Sequence, residues 1–241
     1  MVNDIKNKVV WITGGNRGIG LAIADKFINA GAQVVISASK KESFKDILPK
    51  YAALDNVLFF PCDLTQANQI HEVVTKIKLA KGKIDILINN AGVAEFKPFQ
   101  DITNEMFDEM NNVNYKGTFL CTKAVLPDMI EISDGVIVNI LSGAAIKAFE
   151  NSSVYSATKA AVLAMSNSLR KEVRKNGISV INILPGATDT DIWNPTVREQ
   201  KKHLMMQPED VAEATFSAIQ NSLSQRVIIE EVLVRPQGGD L

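Results

Sequence analysis

Short apolar runs rich in β-branched residues recur along the whole chain, each bounded by polar residues. Runs of this length and composition are typical of strands buried on both faces of a sheet. The pattern predicts seven such strands, at residues 9–13, 33–37, 57–60, 84–88, 136–141, 178–184 and 227–234.

The segments between these runs repeat apolar residues with the period of an α-helix. They predict helices at residues 18–30, 66–81, 104–130, 154–175 and 208–222. Strands separated by helices cannot pair as hairpins, so the sheet should be mainly parallel, with helices on both faces. We expect one α/β domain over residues 1–241, a doubly wound sheet of the Rossmann type, with ligands beyond the carboxyl ends of its strands.

The composition is that of a globular protein without a strong charge bias. Of 241 residues, 46% are hydrophobic, and 26 Lys and Arg balance 27 Asp and Glu. This balance gives no reason to expect a nucleic acid or a membrane as partner, and no apolar run approaches membrane-spanning length. Cys62 and Cys121 match no disulfide or metal motif. A cytoplasmic protein without a metal centre is expected.

Two basic clusters interrupt the even distribution of charge. They comprise Arg170, Lys171, Arg174 and Lys175, and Arg198, Lys201 and Lys202. Solvated helix faces are the simpler interpretation. Docking of an acidic acyl carrier protein is the alternative.

A glycine-rich turn follows the first predicted strand and opens the first predicted helix. Glycine allows close approach of the backbone to a pyrophosphate, which free amides and the positive end of the helix dipole attract. The spacing is G-x-x-x-G-x-G rather than G-x-G-x-x-G, and a plain turn is the alternative. The candidate cofactor-binding residues here are Thr13, Gly14, Asn16, Arg17, Gly18, Ile19 and Gly20.

Polar residues also follow the third and fourth predicted strands. Asp63 and Leu64 come after the third strand. Asn90, Ala91 and Gly92 come after the fourth. Either motif alone could be turn or capping chemistry. Because the carboxyl ends of parallel strands share one edge of the sheet, their joint placement favours a nucleotide site.

The candidate catalytic residues lie after the fifth predicted strand. Ser142 ends that strand, and Tyr155 and Lys159 stand one helical turn apart at the start of a long helix. An ammonium on the same helix face can lower the pKa of a phenol from about 10, so that the phenol exchanges a proton with a carbonyl oxygen. Ser142 can hydrogen-bond the same oxygen. Taken alone, Tyr-x-x-x-Lys is more often an ordinary amphipathic pair.

Together these motifs resemble those of the short-chain dehydrogenase/reductase family over essentially the whole chain. The resemblance implies an adenine contact for Asp63 and a catalytic tetrad of Asn114, Ser142, Tyr155 and Lys159. It further implies that Asn114 belongs to a water-linked proton relay and that Lys159 holds the nicotinamide ribose.

The resemblance extends to a turn after the sixth predicted strand and to assembly. The family's segment that contacts the nicotinamide carboxamide is matched by Pro185, Gly186, Thr188 and Thr190. A strand-terminating turn is the alternative for this segment. A homotetramer, or a dimer, is implied through the helices at 104–130 and 154–175.

The end of the second predicted strand bears on the choice of cofactor. Members that prefer NAD place an acidic residue there, where it binds the ribose hydroxyl. Here the strand runs into Ser39 and Lys40 without an acid. These two residues and Arg17 could instead bind a 2′-phosphate. The sequence therefore predicts NADP(H).

Substrate specificity is expected to depend on residues 187–207, a short segment that could form a mobile lid. Its apolar residues Ile192, Trp193, Met205 and Met206 could cover a substrate, and surface packing of Trp193 is an equal alternative. The motifs are similar to those of 3-oxoacyl-ACP reductases, but the ending at residues 231–237 looks more like that of broad carbonyl reductases.

The sequence thus predicts an NADP-dependent oxidoreductase that reduces a ketone or 3-oxoacyl carbonyl to a secondary alcohol, with Tyr155 as general acid. A cofactor-binding redox sensor without turnover is one alternative, against which the complete tetrad argues. An NAD-linked alcohol dehydrogenase working in the oxidative direction is the other.

Overall fold

The centre of the protein is a parallel sheet of seven strands, seen in a computed structural model that describes residues 5–224 and 226–240. The strands are β1 (Val9–Thr13), β2 (Gln33–Ala38), β3 (Val57–Pro61), β4 (Ile86–Asn89), β5 (Gly135–Ile140), β6 (Ile178–Pro185) and β7 (Glu231–Val234). They pair in the order β3-β2-β1-β4-β5-β6-β7. The direction of winding therefore reverses between β1 and β4, where the turns diverge and leave a crevice for ligands.

Helices connect the strands and cover both faces of the sheet. They are α1 (Gly18–Asn29), α2 (Leu48–Tyr51), α3 (Ala67–Lys81), α4 (Asn104–Met110), α5 (Thr118–Ile132), α6 (Ser153–Val173), α7 (Pro195–Lys201) and α8 (Pro208–Ser222). Within the described ranges, no helix combines the length and apolar character needed to cross a membrane. The predicted doubly wound α/β fold is confirmed.

Two layers of core lie on opposite faces of the sheet. On one face, Ile12 of β1 packs in a cluster with Phe27 of α1 and Ile219 of α8. On the other, Trp11 of β1 packs in a cluster with Ile77 of α3 and with side chains of α5. Because successive residues of a strand point to opposite faces, the central strands are apolar throughout, as a covered parallel sheet requires.

The last strand is shorter than predicted and begins at Glu231. The backbone just before it bonds to side chains. The Ile229 N–H donates to Ser222 Oγ at 3.3 Å, and the Glu230 carbonyl accepts from the Arg170 guanidinium at 2.8 Å. These contacts hold the chain beside β6 before the strand pairing starts.

The long helix predicted at 104–130 is not a single α-helix. Residues Asn111–Gly117 form a π-helical segment between α4 and α5. The Asn114 carbonyl accepts from the Thr118 hydroxyl at 2.8 Å. A π-helical segment widens the helix locally and is often found at functional sites.

Both cysteines are free and buried in the core layer between the sheet and α3 and α5. Burial raises the pKa of the Cys62 thiol to about 12. It also raises the pKa of Cys121 well above its ordinary value. Since the thiolate is the nucleophile, both side chains are inert in the folded protein.

Candidate active site

A cleft of about 1340 Å³ lies at the carboxyl ends of the strands. Its size exceeds that of a typical single-ligand pocket and fits a dinucleotide together with a substrate. Most of the predicted site residues line it, namely Gly14, Asn16, Arg17, Gly18, Ile19, Gly20, Ser39, Asp63, Leu64, Asn90, Ala91, Gly92, Ser142, Tyr155, Lys159, Pro185, Gly186, Thr188 and Thr190. Within the described ranges, the predicted site residues outside this lining are Thr13, Lys40 and Asn114.

The turn between β1 and α1 is packed too closely for larger residues. Gly14 and Gly18 have φ of +62° and +52°, a region that favours glycine. A Cβ on Gly14 would lie 2.8 Å from Ala91 Cα. One on Gly20 would lie 2.5 Å from the Gly14 carbonyl oxygen. The glycines therefore allow this turn to pack against the turn after β4.

Thr13 and Asn90 join these two turns. Asn90 Nδ2 donates to the Thr13 and Gly14 carbonyls at 3.0 and 2.9 Å. Thr13 Oγ1 accepts from the backbone N–H groups of Asn90 and Ala91 at 3.1 and 3.2 Å. Thr13 thus positions the wall of the cleft from behind.

The start of α1 offers unpaired amides to the cleft. Arg17, the residue before the helix, makes no side-chain capping bond, and the first turn contains no acidic residue. Free N–H groups and the positive end of this 12-residue helix favour an anion. The turn and the helix start therefore fit the pyrophosphate of a dinucleotide.

Asp63 after β3 is held in a side-chain turn. Its Oδ1 accepts from the N–H and the hydroxyl of Thr65 at 2.9 and 2.8 Å. Its own N–H donates to Gln69 Oε1 at 2.9 Å. The turn chemistry left open by the sequence is thus present, and it fixes the carboxylate at the wall of the cleft.

The charged residues near the end of β2 differ from those expected, which were basic. Ser39 lines the cleft, whereas the neighbouring Lys40 does not. Glu42 and Asp46, from the connection to α2, line this part of the cleft instead. The strand pattern did not reveal these two carboxylates, because the connection folds back over the strand end.

Arg17 points across the cleft toward residues 187–207, the lid segment. It pairs with Asp191 at 3.5 Å, and Arg198 of the lid segment pairs with both Asp191 and Asp189 at 2.5 Å. The pair is exposed, so it contributes little to stability. It does place an arginine over the phosphate end of the cleft.

Helix α6 places Tyr155 and Lys159 at the floor of the cleft. Their side chains are buried, and Lys159 Nζ lies 5.8 Å from the centre of the Tyr155 ring. Ser142, just after β5, lines the cleft beside Tyr155. Lys159 Nζ donates to the Ile140 carbonyl at 2.9 Å. Three of the four residues predicted as catalytic thus meet in one corner of the cleft.

Burial dominates the ionisation of this group. It raises the pKa of Tyr155 to about 12, while the neighbouring Ser142 hydroxyl acts to lower it. It lowers the pKa of Lys159 from 10.5 to about 8. The sequence led us to expect a lowered tyrosine pKa, but loss of hydration around a phenolate outweighs the nearby ammonium. Tyr155 therefore carries its proton at neutral pH.

Asn114 lies behind the cleft and clamps the turn after β4. Its Nδ2 donates to the Val93 carbonyl at 2.9 Å and to Thr158 Oγ1 at 3.0 Å, and its Oδ1 accepts from the Val93 N–H at 2.8 Å. A Cβ on Gly92 would lie 3.4 Å from both Asn114 Oδ1 and Lys159 Nζ. Asn114 thus joins the π-helical segment, the turn and α6 beside Lys159.

Known proteins of one family match almost the whole chain. The family profile described as short chain dehydrogenase matches residues 8–201. The chain belongs to this family. Among the short-chain dehydrogenases, an uncharacterized oxidoreductase of Staphylococcus aureus (strain MRSA252) is 35% identical over 235 residues, covering 96% of this chain and 98% of its own length. A relative from Staphylococcus saprophyticus is 34% identical and covers 97% and 99%.

Solved structures share the fold of this short-chain dehydrogenase. A metagenomic short-chain oxidoreductase in complex with NADP has a TM-score of 0.83 at 30% identity, covering 97% of this chain and 99% of that one. ElxO with NADP bound has a TM-score of 0.86 at 27% identity, covering 95% and 98%. The resemblance drawn from the sequence motifs is confirmed.

Two aromatic side chains beside Tyr155, Phe96 and Trp193, form an aromatic wall that the sequence did not predict. Phe96 packs edge-on against Tyr155 and stacks on Trp193, with 5.5 Å between ring centres in each case. Trp193 Nε1 donates to the Thr188 carbonyl at 3.0 Å, which fixes its orientation. The position of Phe96 shortly after Asn90 was the available signal, since that segment had to border the cleft.

The lid segment contributes only part of the apolar cover expected of it. Ile192 and Trp193 line the cleft. Met205 and Met206 do not line it; both are buried, and Met206 packs in the core beneath α8. The Met206 N–H donates to the Ala187 carbonyl at 3.0 Å. The two ends of the segment are thus joined, and Thr188, residues 190–194 and Val197 between them line the cleft.

Proposed function

We propose that the protein is an NADP-dependent oxidoreductase that reduces a ketone or 3-oxoacyl-type carbonyl to a secondary alcohol. One observation carries the proposal: the buried Tyr155 lies beside Ser142 and the Lys159 ammonium, at the floor of a cleft shaped for a dinucleotide. A protein that only senses the cofactor has no need of a proton donor at this place.

The proposed reduction needs a hydride from the cofactor and a proton from the protein. When bound, the reduced nicotinamide supplies the hydride that reaches the carbonyl carbon. Tyr155 donates its proton to the carbonyl oxygen, which forms a neutral alcohol and leaves a phenolate. Ser142 donates a hydrogen bond that orients the same oxygen, and the Lys159 ammonium stabilises the phenolate.

The remaining predicted residues bind and position. The turn from Gly14 to Gly20 holds the pyrophosphate, and Asp63 contacts the adenine. Residues Pro185 to Thr190 meet the nicotinamide end. Asn114 holds the turn after β4 beside Lys159 and connects it to the proton relay.

NADP is proposed in preference to NAD. Arg17 lies at the phosphate end of the cleft, Ser39 directly follows β2 where an acid would favour NAD, and two related structures hold NADP. We expect kcat/KM with NADPH to exceed that with NADH by at least about tenfold, or about 1.4 kcal/mol. Glu42→Gln should widen the ratio, because the native carboxylate repels a 2′-phosphate. An equal or higher value with NADH would reverse the cofactor assignment.

The decisive variant is Tyr155→Phe, which removes the hydroxyl and keeps the ring. With NADPH and a panel of ketones, diketones and 3-oxo esters, turnover should fall by about 10²–10⁴-fold, the usual contribution of a general acid. Cofactor affinity should stay within about twofold, because the ring still fills its place beside Phe96.

Tyr115→Phe is the matched control, since Tyr115 is exposed and lies outside the cleft lining. It should keep full turnover. Undiminished turnover in Tyr155→Phe would remove Tyr155 from the mechanism. Tight NADPH binding by the native protein, without turnover of any carbonyl in the panel, would favour the redox sensor.

A further inference from the structure

Three carboxylates line the cleft next to residues that pack with Tyr155, namely Ala94, Met110 and Phe149. Glu95 follows β4, Glu109 lies on α4, and Glu150 lies in the loop before α6. Three different elements thus bring an acidic side chain to the same opening. Among the ion pairs formed within the described part of the chain, none involves these three residues.

Cations do not balance this charge. Lys159 and Arg17 are the Lys and Arg residues that line the cleft within the described ranges. Lys159 lies at the catalytic floor, and Arg17 lies at the phosphate end, where it pairs with Asp191. Lys147 comes from the loop before α6, but its Nζ donates to Asp240 at 2.7 Å. Among the residues that line this part of the cleft, acidic side chains therefore outnumber basic ones.

The same opening is bordered by aromatic faces. The aromatic wall of Phe96 and Trp193 continues outward from Tyr155, and Phe149 lines the cleft from the loop before α6. Aromatic faces attract cations, tryptophan most strongly. Phe149 already shows this behaviour, since the Lys147 ammonium lies 5.4 Å from its ring centre on one side.

We propose that the substrate is a carbonyl compound with a positively charged group, an organic ammonium, remote from the reacting carbonyl, and that Glu95, Glu109 and Glu150 select it. This inference rests on the proposed reductase function and names its substrate class. The ammonium lies between the aromatic wall and the three carboxylates while its carbonyl reaches Tyr155. Carboxylate and phosphate-bearing substrates, including thioesters of acidic carrier proteins, are repelled by the same opening.

Three ketones of equal length test the proposal. They end in trimethylammonium, in the isosteric but neutral tert-butyl group, and in carboxylate. We expect kcat/KM with NADPH at low salt to be at least about threefold higher for the ammonium than for the neutral ketone. It should be at least about tenfold higher than for the carboxylate. At 1 M salt, where the Debye length is about 3 Å, the differences should shrink.

Binding is measured separately from turnover. Calorimetric titration of the three ketones into protein loaded with oxidised NADP gives their dissociation constants, because no hydride is available for reaction. The order of affinity should match the order of kcat/KM. This readout tests the charge selectivity even where a ketone is not reduced.

A triple variant, Glu95→Gln with Glu109→Gln and Glu150→Gln, assigns the selectivity to these residues. The ratio of ammonium to neutral ketone should fall to within about twofold of one. Glu131→Gln is the matched control, since Glu131 is an exposed glutamate at the end of α5, next to the start of β5 and so at the opposite edge of the sheet. Its ratio should equal that of the native protein.

The outcomes separate the two proposals. If the carboxylate ketone binds as well as the ammonium ketone, or if the triple variant keeps the native ratio, charge selectivity is wrong and the reductase assignment stands. If the ammonium ketone binds best but none of the three is reduced, the selectivity stands and the proposed reduction fails.

Discussion

Lys159 is a cation in a place from which water is largely excluded. Its pKa is about 8 in the folded protein against 10.5 ordinarily, so the unfolded chain binds the proton more tightly. Below pH 8 both states are protonated, and the folded state carries the full cost of burying the charge. As pH rises from about 8 past 10.5, the folded state loses its proton first and the cost disappears.

Lys159→Met should therefore stabilise the protein while abolishing turnover. A lowered pKa of this size corresponds to roughly 3–4 kcal/mol, of which loss of the bond to Ile140 offsets a part. We expect the free energy of unfolding in urea to rise by about 1–2 kcal/mol at pH 7. The gain should be much smaller at pH 10.

Lys171→Met serves as the control for this measurement, because Lys171 is exposed on the same helix. Its effect on unfolding should be small and the same at both pH values. A Lys159→Met gain that did not change between pH 7 and pH 10 would show that lost charge burial is not its cause.

For single residues, the sequence predicted which side chains meet in the cleft better than it predicted how deeply they are buried. Tyr155, Lys159 and Ser142 follow from spacing along one strand and one helix. The raised pKa of Tyr155 does not, because it depends on burial by residues distant in sequence, such as Phe96. Glu42 was missed for the same reason.

Among the structural elements, the turn between β1 and α1 leaves the least room for a larger side chain. A Cβ on Gly20 would meet both the Asn90 amide and the Gly14 carbonyl oxygen. Gly20→Ala should weaken NADPH binding at least about tenfold and destabilise the protein by about 1–3 kcal/mol, the usual effect of overpacking. Titration calorimetry and urea unfolding measure the two effects.

Gly238→Ala is the matched control, since nothing lies within 4 Å of the added Cβ. It should change neither measurement. Native cofactor affinity in Gly20→Ala would show that the turn adjusts freely and that its glycines are not needed for binding.

The periodicity predicted where helices and strands lie but not their irregularities. The π-helical segment around Asn114 leaves the apolar pattern almost unchanged, so a helix at 104–130 was the natural prediction. The Ile229 N–H just before β7 bonds to the Ser222 hydroxyl, a side-chain contact that strand propensity does not reveal.

For the whole molecule, the alternation of strands and helices was enough to predict the parallel sheet. The oligomeric state stays a prediction. Several large apolar side chains on α4, the π-helical segment and α5 are exposed in the single chain, namely Phe107, Tyr115, Phe119, Ile130 and Ile132. A patch of this kind is typical of a protein interface. It supports the homotetramer or dimer implied by the family resemblance.

Phe119→Asp should shift the native protein toward the monomer in light scattering after size exclusion, because a buried, unpaired carboxylate is unfavourable at an interface. Leu79→Asp is the control, since Leu79 is 84% exposed and lies on a different helix, α3. An unchanged mass for Phe119→Asp, with the native protein an oligomer, would place the interface elsewhere.

The two buried cysteines can be used as chemical probes for local opening of the core. Both thiols are shielded while the core layer is closed. The rate of their alkylation therefore reports how often the sheet and the helices α3 and α5 separate. Cys62 also lines the cleft, whereas Cys121 lies deeper. The difference between their labelling rates, followed with and without NADPH, therefore distinguishes loosening of the nucleotide site from unfolding of the whole domain.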